Sequence, residues 1–184
     1  DPADRLYGVQ SGAVKLYKTG EEGRPTILKL AGPGDILEMP PLLRKGVFIS
    51  TAEVVTEGTV RFVEREIVLE TLKKEPNLEL NIIQYLSDQV SDKYKNLFEM
   101  AHDDGIRRLA RFLYDYTRKF GKTNGGGHLH ADLPLSREEL AELIGTVPET
   151  ATRLIKKLRE RKLIDVKRRS IAIDNPNRLA HFIC

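Results

Sequence analysis

The sequence predicts an α+β chain: a strand-rich amino-terminal third, one long central helix, and a carboxy-terminal winged helix-turn-helix. Three observations predict it. Short β-branched and aromatic runs separated by glycine turns fill residues 1 to about 66. An unbroken helical periodicity runs from Asn77 to Ala101, and Ser136 to Lys162 reads as two short helices meeting at Gly145.

In the first third, Leu6 to Val9, Ala13 to Lys18, Thr26 to Leu30, Thr51 to Val55 and Thr59 to Val63 read as strands. Ser11-Gly12, Gly20 to Gly23, Gly32 to Gly34, Gly46 and Glu57-Gly58 separate them, the spacing of a small antiparallel barrel or sandwich. Glu66 to Lys74 reads as a short helix closed before Pro76. The chain opens at Asp1, without a methionine and in what reads as the middle of a sheet, so upstream residues are expected.

Along the long helix, Leu80, Ile83, Ser87, Val90, Tyr94, Leu97 and Ala101 recur in steps of three and four, a near-heptad seam. Leu78, Ile82, Leu86 and Phe98 form a second stripe. Two apolar stripes imply two neighbours: the strand-rich region on one side and a partner helix on the other. A homodimer through Ile83, Val90, Tyr94 and Leu97 is therefore expected, with a single core helix inside a monomer as the alternative. His102-Asp103-Asp104-Gly105 breaks the helix and reads as an interdomain hinge. The expected domains are thus a sensor domain at 1–75, a dimerisation helix and hinge at 76–104, and a winged helix-turn-helix at 105–184.

Ile106 to Phe120 is amphipathic, with Leu109, Phe112, Leu113, Tyr116 and Phe120 inward. Lys122 to Gly127 reads as a flexible glycine-rich loop and His128 to Pro134 as a short strand. Ser136 with Glu139 makes a capping box, Leu140, Leu143 and Ile144 follow at helical spacing, and Gly145 stops that helix. Pro148 suits the first turn of the next helix, whose apolar face is Ala151, Leu154, Ile155 and Leu158. Its other face carries Glu149, Thr152, Arg153, Lys156 and Lys157, the pattern by which a helix-turn-helix reads base edges. Beyond Lys162, Leu163 to Val166 and Ile171 to Ile173 flank Lys167-Arg168-Arg169-Ser170, a hairpin with a basic tip.

Composition agrees with this division. From Arg107 onward the chain holds 17 Lys/Arg against 9 Asp/Glu, and before it 13 against 18, so a basic part follows an acidic one. The basic part points to a polyanion partner. No run approaches the roughly 18 apolar residues of a membrane helix, and no signal pattern opens the chain, so a soluble cytoplasmic protein is expected. The one cysteine, Cys184, cannot form an internal disulfide. An enzyme is not expected: there is no Ser-His-Asp or Cys-His constellation, metal spacing or phosphate loop.

The order of these parts, with Ser11 to Leu16, Pro33 to Ile36, Leu135 to Ala141, Ile144-Gly145 and Glu149 to Leu154, resembles the CRP/FNR family of bacterial transcription regulators. The likeness covers essentially the whole chain. It implies a jelly-roll-like, cupin-like antiparallel barrel, double-stranded DNA with a palindromic operator as ligand, and RNA polymerase as a partner. It implies base contacts by Glu149, Thr152 and Arg153, and phosphate contacts by Ser136, Arg137, Thr150, Lys167 and Arg169. The base contacts have a physical reason: Arg can bond O6 and N7 of guanine together, and Glu can accept from a cytosine amine. The competing readings are a surface ion pair of Glu149 with Arg153, a Thr146–Glu149 capping box, and a solvated basic face. Pro148 replaces an arginine of some members, which favours a TTGA over a TGTGA half-site. Arg168 stands where some members have a wing glycine.

The family's cyclic-nucleotide binders present Gly-Glu to the ribose and, about ten residues on, Arg-Ser to the phosphate. Here these positions are Glu38-Met39 and Ile49-Ser50, which lack both the ribose acceptor and the phosphate cation, so cAMP is not expected. No cofactor is expected; the resemblance places an unidentified effector near Met39, Arg44, Ile49 and Ser50. Pro40-Pro41 suit the start of a short helix that, with Arg44 and Lys45, would favour an anion. No cysteine in this region can hold a cluster, no histidine there can ligate haem, and His128-x-His130 alone does not complete a metal site. Two function classes remain: a dimeric DNA-binding regulator, and a winged-helix protein-interaction or ligand-binding module without specific DNA binding.

Overall fold

The computed structural model describes every residue except Glu22, Arg24, Arg168 and Cys184. The readings that rest on Arg168 at the wing tip and on Cys184 lie outside the described residues, as does part of the Gly20 to Gly23 turn. The chain divides into two compact units, Asp1–Leu97 and Phe98–Cys184.

The first unit is built on long strands. β1 (Arg5–Thr19) pairs antiparallel with β2 (Pro25–Ala31) and β3 (Thr51–Glu64), in the order β2-β1-β3. The five short strands read from the sequence are therefore three. Ser11-Gly12 and Glu57-Gly58, read as turns, lie inside β1 and β3 where the register shifts repeatedly between Val9 and Val14. Gly12 takes φ +80°, and a Cβ on Gly58 would stand 2.1 Å from the Ser11 carbonyl oxygen. These glycines mark a close backbone approach at bulges, not chain reversals. The barrel is not closed: the described strands form an open antiparallel sheet, extended by isolated bridges at Pro2–Val47 and Gly8–Ile36.

α1 (Met39–Leu43) opens with Pro40-Pro41 in its first turn and buries Met39, Pro41 and Leu42. Val9, Val14, Ala31 and Leu37 pack as a small core. After α2 (Arg65–Lys74), α3 (Pro76–His102) carries no fully buried residue. Its Ile82, Tyr85, Leu86 and Gln89 are half-buried, and the Tyr85 hydroxyl reaches the Ile36 carbonyl at 3.5 Å. The near-heptad face, Leu80, Ile83, Val90, Tyr94 and Leu97, stands in solvent.

The second unit holds the last turn of α3, α4 (Gly105–Phe120), α5 (Arg137–Leu143), α6 (Pro148–Glu160) and α7 (Pro176–Ile183). Its sheet runs β4 (Lys122–Thr123), β5 (Leu129–Asp132), β7 (Ser170–Ile173) and β6 (Asp165–Lys167) in spatial order. Leu109, Leu113, Leu140, Leu158, Ile171, Ile173 and Leu179 are fully buried at its centre. The loop read at Lys122 to Gly127 contributes β4, which pairs with β5 around Asn124. α7 was not foreseen from the sequence, although Asn175-Pro176 is a start signal: the Asn175 side chain accepts from the Arg178 N–H at 2.9 Å. Among the described residues no helix is long and apolar enough to cross a membrane.

Candidate nucleic-acid interface

α5 begins with a reciprocal cap. The Ser136 hydroxyl oxygen accepts from the Glu139 N–H at 3.1 Å, and the Glu139 carboxylate accepts from the Ser136 N–H at 2.8 Å. Hydrogen bonding from its own backbone, and then from Ser136, holds the neighbouring Glu138 carboxyl below its ordinary range. At the other end Gly145 takes φ +64°, and the Thr146 N–H bonds back to the Ala141 carbonyl at 2.9 Å. This left-handed residue sets the angle at which α6 leaves. The N-cap of α6 is Val147, which offers no capping side chain, so the Thr146–Glu149 capping box does not form.

α6 buries Ala151, Leu154, Ile155 and Leu158 and exposes Glu149, Thr152, Arg153, Lys156 and Lys157 on the opposite side. Among the described residues no hydrogen bond or ion pair engages Glu149. Arg153 donates to the Thr150 hydroxyl at 3.4 Å, and the Thr152 hydroxyl donates to the Pro148 carbonyl at 3.0 Å. Glu149 and Arg153 are thus not paired with each other, and the surface ion pair does not account for them. Both present unspent hydrogen-bonding capacity on one helix face, with Lys156 tied only loosely to Glu160 at 3.9 Å.

The residues matched to phosphate contacts lie around this face in the second unit. Ser136 and Arg137 start α5, and Thr150 is half-buried on the flank of α6. Lys167 and Arg169 are exposed on the β6–β7 hairpin; Lys167 Nζ sits 3.1 Å from Asp165, and the Arg169 carbonyl accepts from the Leu133 N–H at 2.7 Å. That last bond ties the wing to the residues leading into α5.

Two arginines that the sequence reading passed over hold the assembly. Arg108 donates to the Ile144 carbonyl at 2.8 Å and to the Asp103 carbonyl at 2.6 Å, joining the end of α5 to the predicted hinge. Arg111 lies 2.9 Å from Asp103 Oδ2 and 3.2 Å from Glu99 Oε2, and Asp104 caps α4 by accepting from the Arg107 N–H at 3.0 Å. Only the bonds to Asp103 had a local signal, arginines one and two turns after an Asp-Asp helix break.

In the first unit a cavity of about 690 Å³ is lined by Leu16, Leu28, Arg44, Ile49, Ser50 and Lys93, among others. Met39 does not line it and is only 4% exposed. The Glu38 carboxylate is already engaged, accepting from the Ile49 N–H at 3.1 Å and from the Ser50 hydroxyl.

Residues 1–75 match the cyclic nucleotide-binding domain family and residues 107–182 the Crp-like helix-turn-helix domain family. The global nitrogen regulator of Synechocystis sp. is 34% identical over 179 residues, spanning 96% of this chain and 79% of that protein. The chain belongs to the CRP/FNR family of bacterial transcription regulators. The CRP-like cAMP-activated global transcriptional regulator of Mycobacterium tuberculosis is 28% identical over 180 residues, 98% of this chain and 80% of that one. The solved structure of FixK2 from Bradyrhizobium japonicum superposes with a TM-score of 0.85 at 24% identity, over 100% of this chain and 89% of that one. As a CRP/FNR protein the chain is a DNA-binding regulator, in a family of transcription regulators rather than enzymes.

Proposed function

We propose that the chain is a homodimer that reads a palindromic operator through α6, with Glu149 and Arg153 bonding guanine and cytosine edges and Thr152 beside them. The observation that carries this reading is the exposed face on which Glu149 and Arg153 are not paired with each other, opposite the buried apolar face of α6. Ser136, Arg137, Thr150, Lys167 and Arg169 then grip phosphates and fix the register. Two copies joined along the exposed near-heptad face of α3 would set half-sites one helical turn apart, about 34 to 36 Å. RNA polymerase is the further partner of such a regulator.

Control does not run through cAMP in this reading. Ile49 offers no cation to a cyclic phosphate, Met39 is packed away, and Glu38 is committed to Ser50. Arg44, Ile49 and Ser50 instead border a cavity suited to a different small effector, with Lys93 of α3 on its wall. Fluorescence anisotropy on a palindromic TTGA-containing duplex and on its scrambled counterpart, at several salt concentrations, tests the function. A marked preference for the palindrome is expected, together with a fall in affinity as salt rises. Salt-independent absence of binding to either duplex would favour a protein-interaction module.

A further inference from the structure

Asn124 is the chain's one asparagine followed by glycine, and it stands exposed in the turn between β4 and β5. Its side-chain oxygen accepts from the Gly126 N–H at 3.2 Å and from the His128 N–H at 3.1 Å. An asparagine oxygen bonded to the N–H two residues on folds the side chain back over the intervening peptide, here that of Gly125. The main chain of Asn124 is fixed as well, its N–H donating to the His128 carbonyl at 3.2 Å and its carbonyl accepting from the Gly127 N–H at 2.9 Å. Among the described residues nothing accepts from the Gly125 N–H, and nothing engages the Asn124 amide nitrogen. A Cβ on Gly125 or on Gly127 would meet nothing within 4 Å, so no neighbouring group crowds the turn at these positions. The other asparagines lack this arrangement: Asn77, Asn81, Asn96 and Asn177 lie in α3 and α7, and Asn175 precedes Pro176, which has no N–H.

We propose that Asn124 and Gly125 form a self-modifying site, at which the folded turn promotes conversion of the asparagine to aspartate and isoaspartate. The Gly125 nitrogen gives its proton to solvent base and attacks Asn124 Cγ. A new C–N bond closes a cyclic imide, the bond from Cγ to the side-chain nitrogen breaks, and ammonia leaves. Negative charge that builds on the side-chain oxygen during the attack is met by the two N–H groups already bonded to it, as in an oxyanion hole. Water then opens the imide at either carbonyl, leaving aspartate or, with the backbone routed through the side-chain carbon, isoaspartate. Either product adds a carboxylate to the basic part of the chain. The test holds the full chain in buffers from neutral to mildly alkaline pH, beside the same chain unfolded in urea and the Gly125→Ala variant. Position 124 is followed by digestion and mass spectrometry with the two isomers separated. The folded chain should convert Asn124 about tenfold faster than the unfolded one, the factor that hydrogen bonds to the reacting oxygen supply. The rate should rise with pH, isoaspartate should be among the products, and the other asparagines should persist. Gly125→Ala, folded by circular dichroism, should slow the conversion by a similar factor; if that variant does not fold, the folded and unfolded wild type decide alone. Conversion no faster in the folded chain, aspartate without isoaspartate, or a folded Gly125→Ala that reacts as fast as wild type would each overturn the inference.

Discussion

Arg153 is held only by a long hydrogen bond to Thr150, 3.4 Å, so little is lost when a guanine edge offers two acceptors in its place. Arg153→Ala should cost about 1–3 kcal/mol on the specific duplex and relax the choice of base, with a much smaller effect on scrambled DNA. Equal losses on both, by anisotropy, would reduce Arg153 to a backbone contact. Arg169 on the hairpin makes the contrasting case. Arg169→Ala should weaken all sequences alike and lower the slope of log affinity against log salt by about one. Tyr116 is buried, and its hydroxyl donates to the Asp132 carbonyl at 2.6 Å; burial, and then Asp132, push its pKa up to about 12. A phenol raised in the folded state stabilises it fully below the unfolded value near 10, and that contribution fades as pH rises towards 12. Urea denaturation should show the stability gap between wild type and Tyr116→Phe shrinking over that interval. Which residues were legible follows from distance along the chain. Ser136 and Glu139 are three apart and announce their cap, whereas Arg108 meets a carbonyl 36 residues away, which no local pattern encodes.

The helix-turn-helix depends on one left-handed residue. A Cβ on Gly145 would meet only the Met100 methyl at 3.4 Å, an ordinary contact, so the cost of substitution comes from φ +64° and not from crowding. Gly145→Ala should destabilise the second unit by about 1–2 kcal/mol in thermal or chemical unfolding. It should also weaken specific DNA binding, because the turn sets how α6 leaves α5. Retained stability with lost binding would place the residue at the DNA surface instead. Helices were readable at this scale because their apolar spacing and caps are local. Strand number was not: glycine next to a polar residue signals a turn and a bulge equally, and only the pairing of β1 with β3 decides between them. α7 escaped notice because its eight residues follow a sheet strand at once, with only Asn175-Pro176 to mark the start.

For the whole molecule, the seam of α3 is the feature with most to explain. Ile83, Val90, Tyr94 and Leu97 are 53% to 71% exposed in the single chain, a row that a partner helix of the same kind would cover. Ile83→Glu combined with Tyr94→Glu should halve the mass in sedimentation and abolish tight binding to the full palindrome, while a weak half-site affinity survives. A persistent dimer would move the interface elsewhere. The seam was legible because periodicity survives without knowledge of any contact. The division of charge, acidic before Arg107 and basic after it, likewise marked which part meets a polyanion. The cavity near Arg44 was placed by family likeness; its remaining lining comes from residues scattered from Leu16 to Lys93, which only folding brings together.

The facing glycines of β1 and β3 carry a consequence for mutational tolerance. A Cβ on Gly12 would fall 2.6 Å from the Glu57 carbonyl oxygen and 2.8 Å from the Gly58 Cα, and one on Gly58 would fall 2.1 Å from the Ser11 carbonyl oxygen. In each case the obstacle is main chain, so no exchange of side chains across the pair creates room. In a saturation library sorted for folded protein, positions 12 and 58 should each accept glycine alone, and a loss at one should find no suppressor at the other.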